Sequence, residues 1–355
     1  MLEDKSISKI ISLIQSKDVS VKEVVEHYLK QIKKYNQTLN AIVLQIDEQK
    51  ILDEANSIDK KDQSKEKPLV GLPMACKDLF DIEGLPSTYG YPDFKNNIAK
   101  KNSLIVDRLK KNGAIIIGKT NTAELGVGGH TTNRLFGPTA NAYNISKSAA
   151  GSSGGAGSAV ATGLLPFADG TDMMGSCRAP AAYANIYGFR PTTGLIPTDR
   201  SSENRVDNFP ILTSPGCFAK TPEDMSILLD CVVGADQLDP FSISLNSSFK
   251  EHLKNKFEFS NIKVCWLSDL NGAYNFEHGI IEMCENKLKD LNNHNLEIEP
   301  LKSKINSNDL WESWTTLRAK SIFEDTISMK IDDINKMTSQ AIWEYNKGEK
   351  VKKED

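Results

Sequence analysis

One stretch of the chain limits its possible folds more than any other. Between residues 126 and 194 the sequence is dense in Gly, Ala, Ser and Thr and is still punctuated by apolar residues. Small side chains allow backbone segments to approach one another closely. The stretch therefore predicts close backbone packing inside a folded domain, not a disordered linker.

Helical periodicity marks the N-terminal region. Apolar residues at positions i, i+3, i+4 and i+7 predict two amphipathic helices, one with Ile7, Ile10, Ile11 and Ile14 and one with Val21, Val24, Val25 and Tyr28. Ser20 followed by Glu23 predicts a capping box at the start of the second helix. The charged residues 59–67 are expected to form a solvated loop.

From residue 68 onward, short strand-like runs alternate with helical stretches. Ala114–Ile117 is β-branched, and Ser103–Lys111 reads as a helix that closes at Asn112–Gly113. Further along we expect a helix over 221–233, a strand over 262–267, a helix near 279–291 and a helical tail. The alternation predicts an α/β fold, with a helical arm (1–60) packed on a main domain (68–355).

Bulk properties exclude several classes of protein. The chain has 355 residues, 39% of them hydrophobic, and a net charge of −4 with scattered Lys and Arg, so we expect no direct nucleic-acid partner. It has no long apolar run and no signal-peptide pattern, which predicts a cytoplasmic protein without a membrane partner. Its six cysteines show no metal-ligand spacing, so we expect reduced thiols and no metal.

Two glycine-rich turns carry serines, Gly151–Ser158 and Gly170–Arg178. Glycines let a turn direct several backbone N–H groups at one small volume, which suits either a phosphate or an oxyanion. A phosphate-binding loop requires a Lys directly after its glycines, and neither turn has one. Acyl-transfer chemistry at a serine is therefore favoured.

A serine nucleophile needs a base. His130 lies in the glycine-rich region, but no GxSxG motif accompanies it, so we expect it to be a hydrogen-bonded residue of a site wall or of the core. Lys77 ends the apolar run Gly71–Lys77, which would carry it inward, and burial would lower its pKa toward neutrality. On residue type alone, a surface or salt-bridged Lys77 remains the commoner alternative.

Three blocks resemble the amidase signature family in their amino-acid sequence, order and spacing, and the resemblance as a whole spans about residues 5–350. They are VGLPMACKD (70–78), the segment 113–144 that begins GAIIIGKTNTAELG, and the segment 149–197 that contains GSSGGAGS and GTDMMGSCR. Lys77 precedes Ser152 by 75 residues, and Ser152 precedes Ser176 by 24. The resemblance implies a largely central, twisted, mixed β-sheet flanked by helices, and a serine amidase that needs no cofactor.

The same resemblance assigns roles to individual residues. Ser176 is expected to be the nucleophile, Ser152, in a cis peptide, the proton relay, and Lys77 the base. The oxyanion hole is expected to consist of the backbone N–H groups of Met173, Met174, Gly175 and Ser176. A supporting hydrogen-bond network is expected from Ser153, Asp172 and Arg178.

The chain departs from the family at one turn and at its end. Many members have Gly-Gly where this chain has Met174-Gly175, so we expect Met174 either to keep an ordinary, negative φ or to store strain. The methionine side chains of this turn are expected to border the pocket or to pack in the core. The family's domain normally continues beyond residue 355. An open sheet edge and pocket would follow, with a homodimer or a complementing C-terminal fragment as possible partners.

Three functions follow from these features. The leading one is hydrolysis of a small carboxylic amide to an acid plus ammonia or an amine through an acyl-serine intermediate. The second is the A subunit of a glutamyl-tRNA(Gln) amidotransferase, although the segment after residue 194 resembles a general amidase more closely. The third is an inactive truncated remnant that serves only as a binding scaffold.

Overall fold

The computed structural model describes residues 2, 4–61, 67–200, 212–255, 262–291, 296, 298–301, 304 and 306–352. The chain divides into two compact units, one of Met1–Leu253 with Glu324–Trp343 and one of Lys254–Phe323 with Glu344–Asp355. The first unit carries every residue of the candidate site. No helix in the described ranges is long and apolar enough to cross a membrane.

Helices and strands alternate along most of the chain. The helices are α1 (Ile7–Gln15), α2 (Val21–Leu39), α3 (Glu48–Lys60), α4 (Leu104–Lys111), α5 (Gly154–Ala161), α6 (Arg178–Ala184), α7 (Pro222–Val232), α8 (Phe249–Lys254), α9 (Ile280–Leu291), α10 (Ser307–Ser328) and α11 (Ser339–Glu349). The strands are β1 (Ile42–Gln45), β2 (Pro73–Lys77), β3 (Ile115–Thr120), β4 (Ala168–Asp172), β5 (Tyr187–Phe189), β6 (Ser214–Ala219), β7 (Val264–Trp266) and β8 (Ile298–Pro300).

The two predicted N-terminal helices are confirmed as α1 and α2. Their apolar stripes are buried in the core of the first unit, and the capping box is present: Glu23 N–H donates to Ser20 Oγ at 3.1 Å, and Ser20 N–H donates to Glu23 Oε2 at 2.8 Å. The Ile7 N–H at the start of α1 donates to Asp224 Oδ1 on α7 at 2.8 Å. Local capping and burial of one apolar face therefore explain where these helices form.

The segment 59–67 was predicted to be a solvated loop, and this is wrong at its start. Asp59 lies in the last turn of α3 and accepts hydrogen bonds from the N–H groups of Val21 (2.8 Å) and Lys22 (3.1 Å). The first N–H groups of α2 have no partner within their own helix, so a carboxylate from a neighbouring helix satisfies them. Residues 62–66 lie outside the described residues.

The remaining local predictions are confirmed with small shifts at their ends. The helix expected at 103–111 is α4, which ends where Gly113 adopts a φ of 98°. The predicted strand at 114–117 extends to Thr120 in β3. The helices expected near 221–233 and 279–291 are α7 and α9, and the strand expected at 262–267 is the shorter β7.

The α/β class is confirmed, but the strands of the first unit form two ladders instead of one continuous sheet. One ladder has the order β1-β3-β2, with β2 parallel and β1 antiparallel to β3, and the other has the antiparallel order β4-β6-β5. Strand β2, at the edge of the first ladder, lies beside strand β4, at the edge of the second ladder. The Lys77 N–H of β2 donates to the Asp169 carboxylate instead of to a backbone carbonyl of β4.

The glycine-dense stretch packs as closely as predicted. A Cβ atom at Gly155 would lie 2.5 Å from the Asn121 nitrogen, and one at Gly154 would lie 2.5 Å from Thr131 Oγ1. Helix α5 can therefore lie directly against the chain that follows β3 only because these positions carry no side chain.

The second unit is described by itself. Strands β7 and β8 pair in parallel within it. Arg318 Nε and Glu344 Oε1 form a 2.6 Å ion pair between largely buried side chains, and the rings of Phe323 and Tyr345 contact with their centroids 5.0 Å apart. These contacts join α10 to α11 within the unit.

Candidate active site

Lys77 is the last residue of β2, a strand whose five residues are all buried. Its side chain is 0% exposed, and its Nζ donates to Ser152 Oγ at 2.7 Å and to Thr171 Oγ1 at 2.8 Å. Burial lowers the pKa of Lys77 to about 8, although Cys177, Asp169 and Asp172 act to raise it. The expectation that the apolar run carries this lysine inward is confirmed, and a surface lysine is excluded.

Ser152 is 1% exposed and follows a cis peptide bond from Gly151. Its carbonyl accepts hydrogen bonds from the Ala123 N–H at 3.1 Å and from Thr131 Oγ1 at 3.2 Å. A Cβ at Gly151 would lie 2.7 Å from the carbonyl carbon of His130, so only glycine fits at that position. The neighbouring loop therefore holds the Ser152 hydroxyl against the Lys77 amine.

The turn that bears Ser176 is built around the buried carboxylate of Asp172. Asp172 accepts hydrogen bonds from the N–H groups of Gly175 (2.7 Å) and Cys177 (3.1 Å), and Arg178 Nε and a terminal nitrogen lie 3.0 and 2.9 Å from its two oxygens. Burial opposes the ionisation of Asp172, but these donors outweigh it and hold its pKa below the ordinary value. Ser176 is thus flanked by two anchored N–H groups.

The two serine-bearing turns meet at Gly170 on β4. A Cβ at Gly170 would lie 3.0 Å from Cys177 Sγ, next to Ser176, and 3.0 Å from Ser153 Oγ, next to Ser152. Ser153 Oγ also donates to the Thr171 carbonyl at 3.3 Å. Among the described residues the half-buried Ser176 forms no side-chain hydrogen bond, so its transfer of a proton to Ser152 stays a prediction.

The predicted oxyanion-hole donors lie in the same turn. Gly175 has a φ of 111°, which suits glycine, whereas Met174 keeps a negative φ as expected. The Gly175 N–H is already engaged by Asp172, so it is committed to holding the turn in this structure. The Met174 side chain is 53% exposed, which rules out the core alternative for that residue.

His130 does not belong to the buried part of the site. It is exposed, and its Nδ1 forms a hydrogen bond of 2.7 Å with Ser148 Oγ. The expected hydrogen bond is present, but the expectation that His130 could pack in the core is wrong. Within the described residues, no group of three or more His, Cys, Asp or Glu side chains is arranged to hold a metal ion.

Two residues that contact Lys77 were missed in the sequence. Thr171 Oγ1 accepts from the amine, and Asp169 Oδ1 accepts from the backbone N–H of Lys77 at 2.7 Å. They lie at positions i and i+2 of β4 and therefore share one face of the strand. The available signal was a pair of polar residues two positions apart within the glycine-dense stretch, which was predicted to pack closely.

Comparisons with known proteins identify the family of the chain. The family model described as Amidase matches residues 23–352. An acylamidase of Rhodococcus erythropolis is 36% identical over 282 residues, which is 79% of this chain and 57% of the relative. The A subunit of the Legionella pneumophila glutamyl-tRNA(Gln) amidotransferase is 34% identical over 306 residues, which is 84% of this chain and 62% of the relative. The chain thus spans about three fifths of the length of these relatives.

Solved structures match the fold as a whole. A bacterial aryl acylamidase of the amidase signature family superimposes with a TM-score of 0.86 at 24% identity, covering 99% of this chain and 73% of that protein. A 6-aminohexanoate cyclic dimer hydrolase superimposes with a TM-score of 0.82 at 20% identity, with the same two coverages. At these identities the likeness concerns the fold alone.

Proposed function

Because this chain belongs to the amidase family, we propose that it hydrolyses small carboxylic amides to an acid plus ammonia or an amine. The reaction would pass through a covalent acyl-serine intermediate on Ser176. The observation that carries the proposal is the buried Lys77 amine, which has a pKa of about 8 and is hydrogen-bonded to Ser152. A lysine in this state can be neutral near physiological pH and can therefore act as a base.

In the first step, neutral Lys77 takes the proton of Ser152, which in turn takes the proton of Ser176. The Ser176 oxygen then attacks the amide carbonyl, and negative charge develops on the carbonyl oxygen. Backbone N–H groups of the Met173–Ser176 turn that are not already bonded to Asp172 stabilise this charge. Each donor of such a hole is worth about 3–4 kcal/mol of transition-state stabilisation.

In the second step, the same relay returns a proton to the leaving nitrogen. An amide nitrogen is a poor leaving group as an anion, so its protonation allows the C–N bond to break. Water then enters, gives a proton to the relay and attacks the acyl-serine, which releases the acid. Asp172, Arg178 and Ser153 support the reaction by holding the Ser176 turn and β4 in register.

The second candidate is the A subunit of a glutamyl-tRNA(Gln) amidotransferase, and the 34% identity to the Legionella protein favours it. In that role the same residues would hydrolyse glutamine and supply ammonia to a partner subunit. The acylamidase relative, at 36% identity, favours the first candidate. We propose the amidase because the segment after residue 194 resembles a general amidase more closely and because the acylamidase shows the higher identity of these two relatives.

Two further parts of the proposal concern the cellular location of the protein and its protein partners. All six cysteines are free thiols, which supports a cytoplasmic location. A homodimer or a complementing C-terminal fragment remains our proposal for a protein partner. Light scattering of the expressed protein would detect a homodimer, and copurification would detect a complementing fragment.

The proposal is tested with a fluorophosphonate probe, which labels activated serines. We expect labelling of Ser176, mapped by mass spectrometry, to vanish in Ser176→Ala and to fall at least about 100-fold in rate in Lys77→Ala, because general-base catalysis typically contributes this much. Ser158→Ala is the matched control, since this buried serine of the same stretch donates only to the Ala140 carbonyl. Absence of labelling in a folded wild-type chain would contradict the proposal and favour the scaffold alternative.

Substrate assays then separate the two enzymatic candidates. An amidase should release amine or ammonia from simple acyl amides, whereas the A subunit should prefer glutamine and respond to added amidotransferase partner. Ammonia release from glutamine alone, without turnover of any acyl amide, would overturn the choice of the first candidate.

A further inference from the structure

Asp169 connects the two ladders at the position of the proposed base. Its side chain is buried, and its Oδ1 accepts the Lys77 N–H at 2.7 Å, in the place where a strand carbonyl would stand. Two residues further along β4, Thr171 accepts a hydrogen bond from the Lys77 amine. One strand face therefore holds both the backbone and the amine of Lys77.

No N–H or O–H group of the described residues donates to the second oxygen of the Asp169 carboxyl, and the other side-chain contact of this carboxyl is the weakly donating Cys76 thiol. Among the described residues, Oδ2 is buried and accepts no hydrogen bond. A buried carboxylate oxygen without a donor is costly while it carries charge, and a proton on the group reduces that cost. In agreement, burial raises the pKa of Asp169 to about 7, against the lowering contacts with Lys77 and Cys76.

Several titratable groups face Asp169 from the elements packed around it. They are Cys76 and Lys77 of β2, Lys119 of β3, Cys177 at the start of α6 and Cys217 of β6. Burial raises the pKa of all three thiols, so they are neutral near pH 7. Lys119 is already paired with Asp78 at 3.0 Å. Lys77 is therefore the charged group with which Asp169 chiefly interacts.

We propose that Asp169 is a positioning residue that anchors the backbone of Lys77 and, through its own ionisation, sets how readily the Lys77 amine gives up its proton. The inference rests on the proposed role of Lys77 as the base. An ionised Asp169 favours the protonated amine, and a neutral Asp169 favours the free amine. Because the two groups interact, their protons leave in steps that belong to the pair and not to either residue.

The first test is Asp169→Asn, which retains an oxygen for the Lys77 N–H and cannot ionise. We expect the acid limb of the pH profile, both for kcat/KM and for the rate of fluorophosphonate labelling, to move to lower pH by about one unit, because the charge that favours the protonated amine is removed. Asp224→Asn is the matched control. Asp224 is a buried aspartate that accepts the Ile7 N–H far along the sequence, and its replacement should leave the limb in place.

A second measurement does not depend on activity. The pKa of Asp169 is raised in the folded state, so protonation of this carboxyl favours the folded chain. This contribution to the free energy of unfolding is present at acid pH and is lost as the pH rises to about 7. The urea midpoint of the wild type, relative to Asp169→Asn, should fall across that window. In a Lys77→Met background the fall should extend to higher pH, because the ammonium that favours the ionised carboxyl is gone.

The outcomes separate the two proposals. If the wild type neither hydrolyses amides nor reacts with the probe, the proposed function fails, and the urea experiment alone decides the role of Asp169. If Asp169→Asn lowers activity but leaves the acid limb in place, or if Lys77→Met does not move the stability window, Asp169 is merely structural and the inference is overturned. Should Asp169→Asn not fold, Asp169→Ser provides a hydroxyl acceptor without charge and must show the same shift in the limb.

Discussion

Lys77 shows at the scale of one residue how the environment of a side chain produces a base. Free lysine has a pKa of about 10.4 and is almost wholly protonated at neutral pH. Here the amine is fully buried and its two hydrogen-bond partners are hydroxyl groups, which stabilise the ammonium less than carboxylates would. With a pKa of about 8, part of the Lys77 amine is neutral near physiological pH.

This value leads to a prediction for the pH dependence of the reaction. The neutral amine is the active form, so kcat/KM should rise with pH on the acid side and level off above about 8. Initial rates on an acyl amide between pH 6 and 10, with folding checked by circular dichroism at each pH, provide the measurement. A rate that is flat or that falls over pH 6–8 would show that Lys77 does not act as the base.

At the scale of elements, the turn between β4 and α6 depends on Asp172. Its carboxylate, which is 0% exposed, accepts hydrogen bonds from the backbone N–H groups of Gly175, Cys177 and Arg178 and from the Arg178 guanidinium. The guanidinium is 56% exposed, so water screens part of this ion pair. The backbone donors therefore matter as much as the charge for the position of Ser176.

We predict that Asp172→Ala lowers the free energy of unfolding by about 3 kcal/mol, since it leaves several buried donors without an acceptor. It should also lower the rate of Ser176 labelling at least about 100-fold, because small displacements of a reacting group have effects of this size. The matched control is Asp239→Ala, which removes a buried aspartate that holds Arg200 and two backbone N–H groups away from this turn. Equal loss of labelling in both variants would contradict a specific role for Asp172.

Helix α5 provides a second prediction at this scale. Gly155→Ala would place a methyl group 2.5 Å from the Asn121 nitrogen and 2.7 Å from the Ala41 carbonyl oxygen, both backbone atoms that cannot move aside singly. We expect a loss of about 3 kcal/mol in the free energy of unfolding, at the upper end of overpacking effects. Gly129→Ala is the control, because no atom lies within 4 Å of its added Cβ and its φ is ordinary. Urea unfolding of both variants would measure the difference, and equal midpoints would contradict it.

At the scale of the whole molecule, burial divides the six thiols into two groups. Cys76, Cys177, Cys217 and Cys231 are buried in the first unit, whereas in the second unit Cys265 is exposed and Cys284 is partly exposed. Burial also raises the pKa of the four thiols in the first unit, which suppresses the reactive thiolate.

The native protein should therefore react with a thiol reagent at Cys265 first, then at Cys284, and at the four buried cysteines only after unfolding. Mass spectrometry of the protein after brief treatment with iodoacetamide measures the order. A fully denatured sample is the control in which all six react. Early modification of Cys177 would show that the core beside Ser176 opens readily.

The sequence by itself determined the features that depend on neighbours along the chain. The apolar stripes of α1 and α2, the Ser20–Glu23 capping box and the end of α4 before Gly113 follow from contacts within a few residues. The buried position of Lys77 followed from the apolar run that precedes it. The alternation of strand-like and helical stretches indicated the α/β class, and the resemblance to the amidase signature family supplied the roles of the candidate serines.

Only the tertiary structure decided the contacts between segments far apart in the sequence. Asp169 lies 92 residues after Lys77, and Asp59 lies 38 residues after Val21, yet each carboxylate accepts the backbone N–H of that distant residue. The division of the strands into two ladders and the exposure of His130 likewise depend on the packing of distant segments. A local pattern predicts which groups will need a partner, but the packing of strands and helices determines which distant side chain lies close enough to provide one.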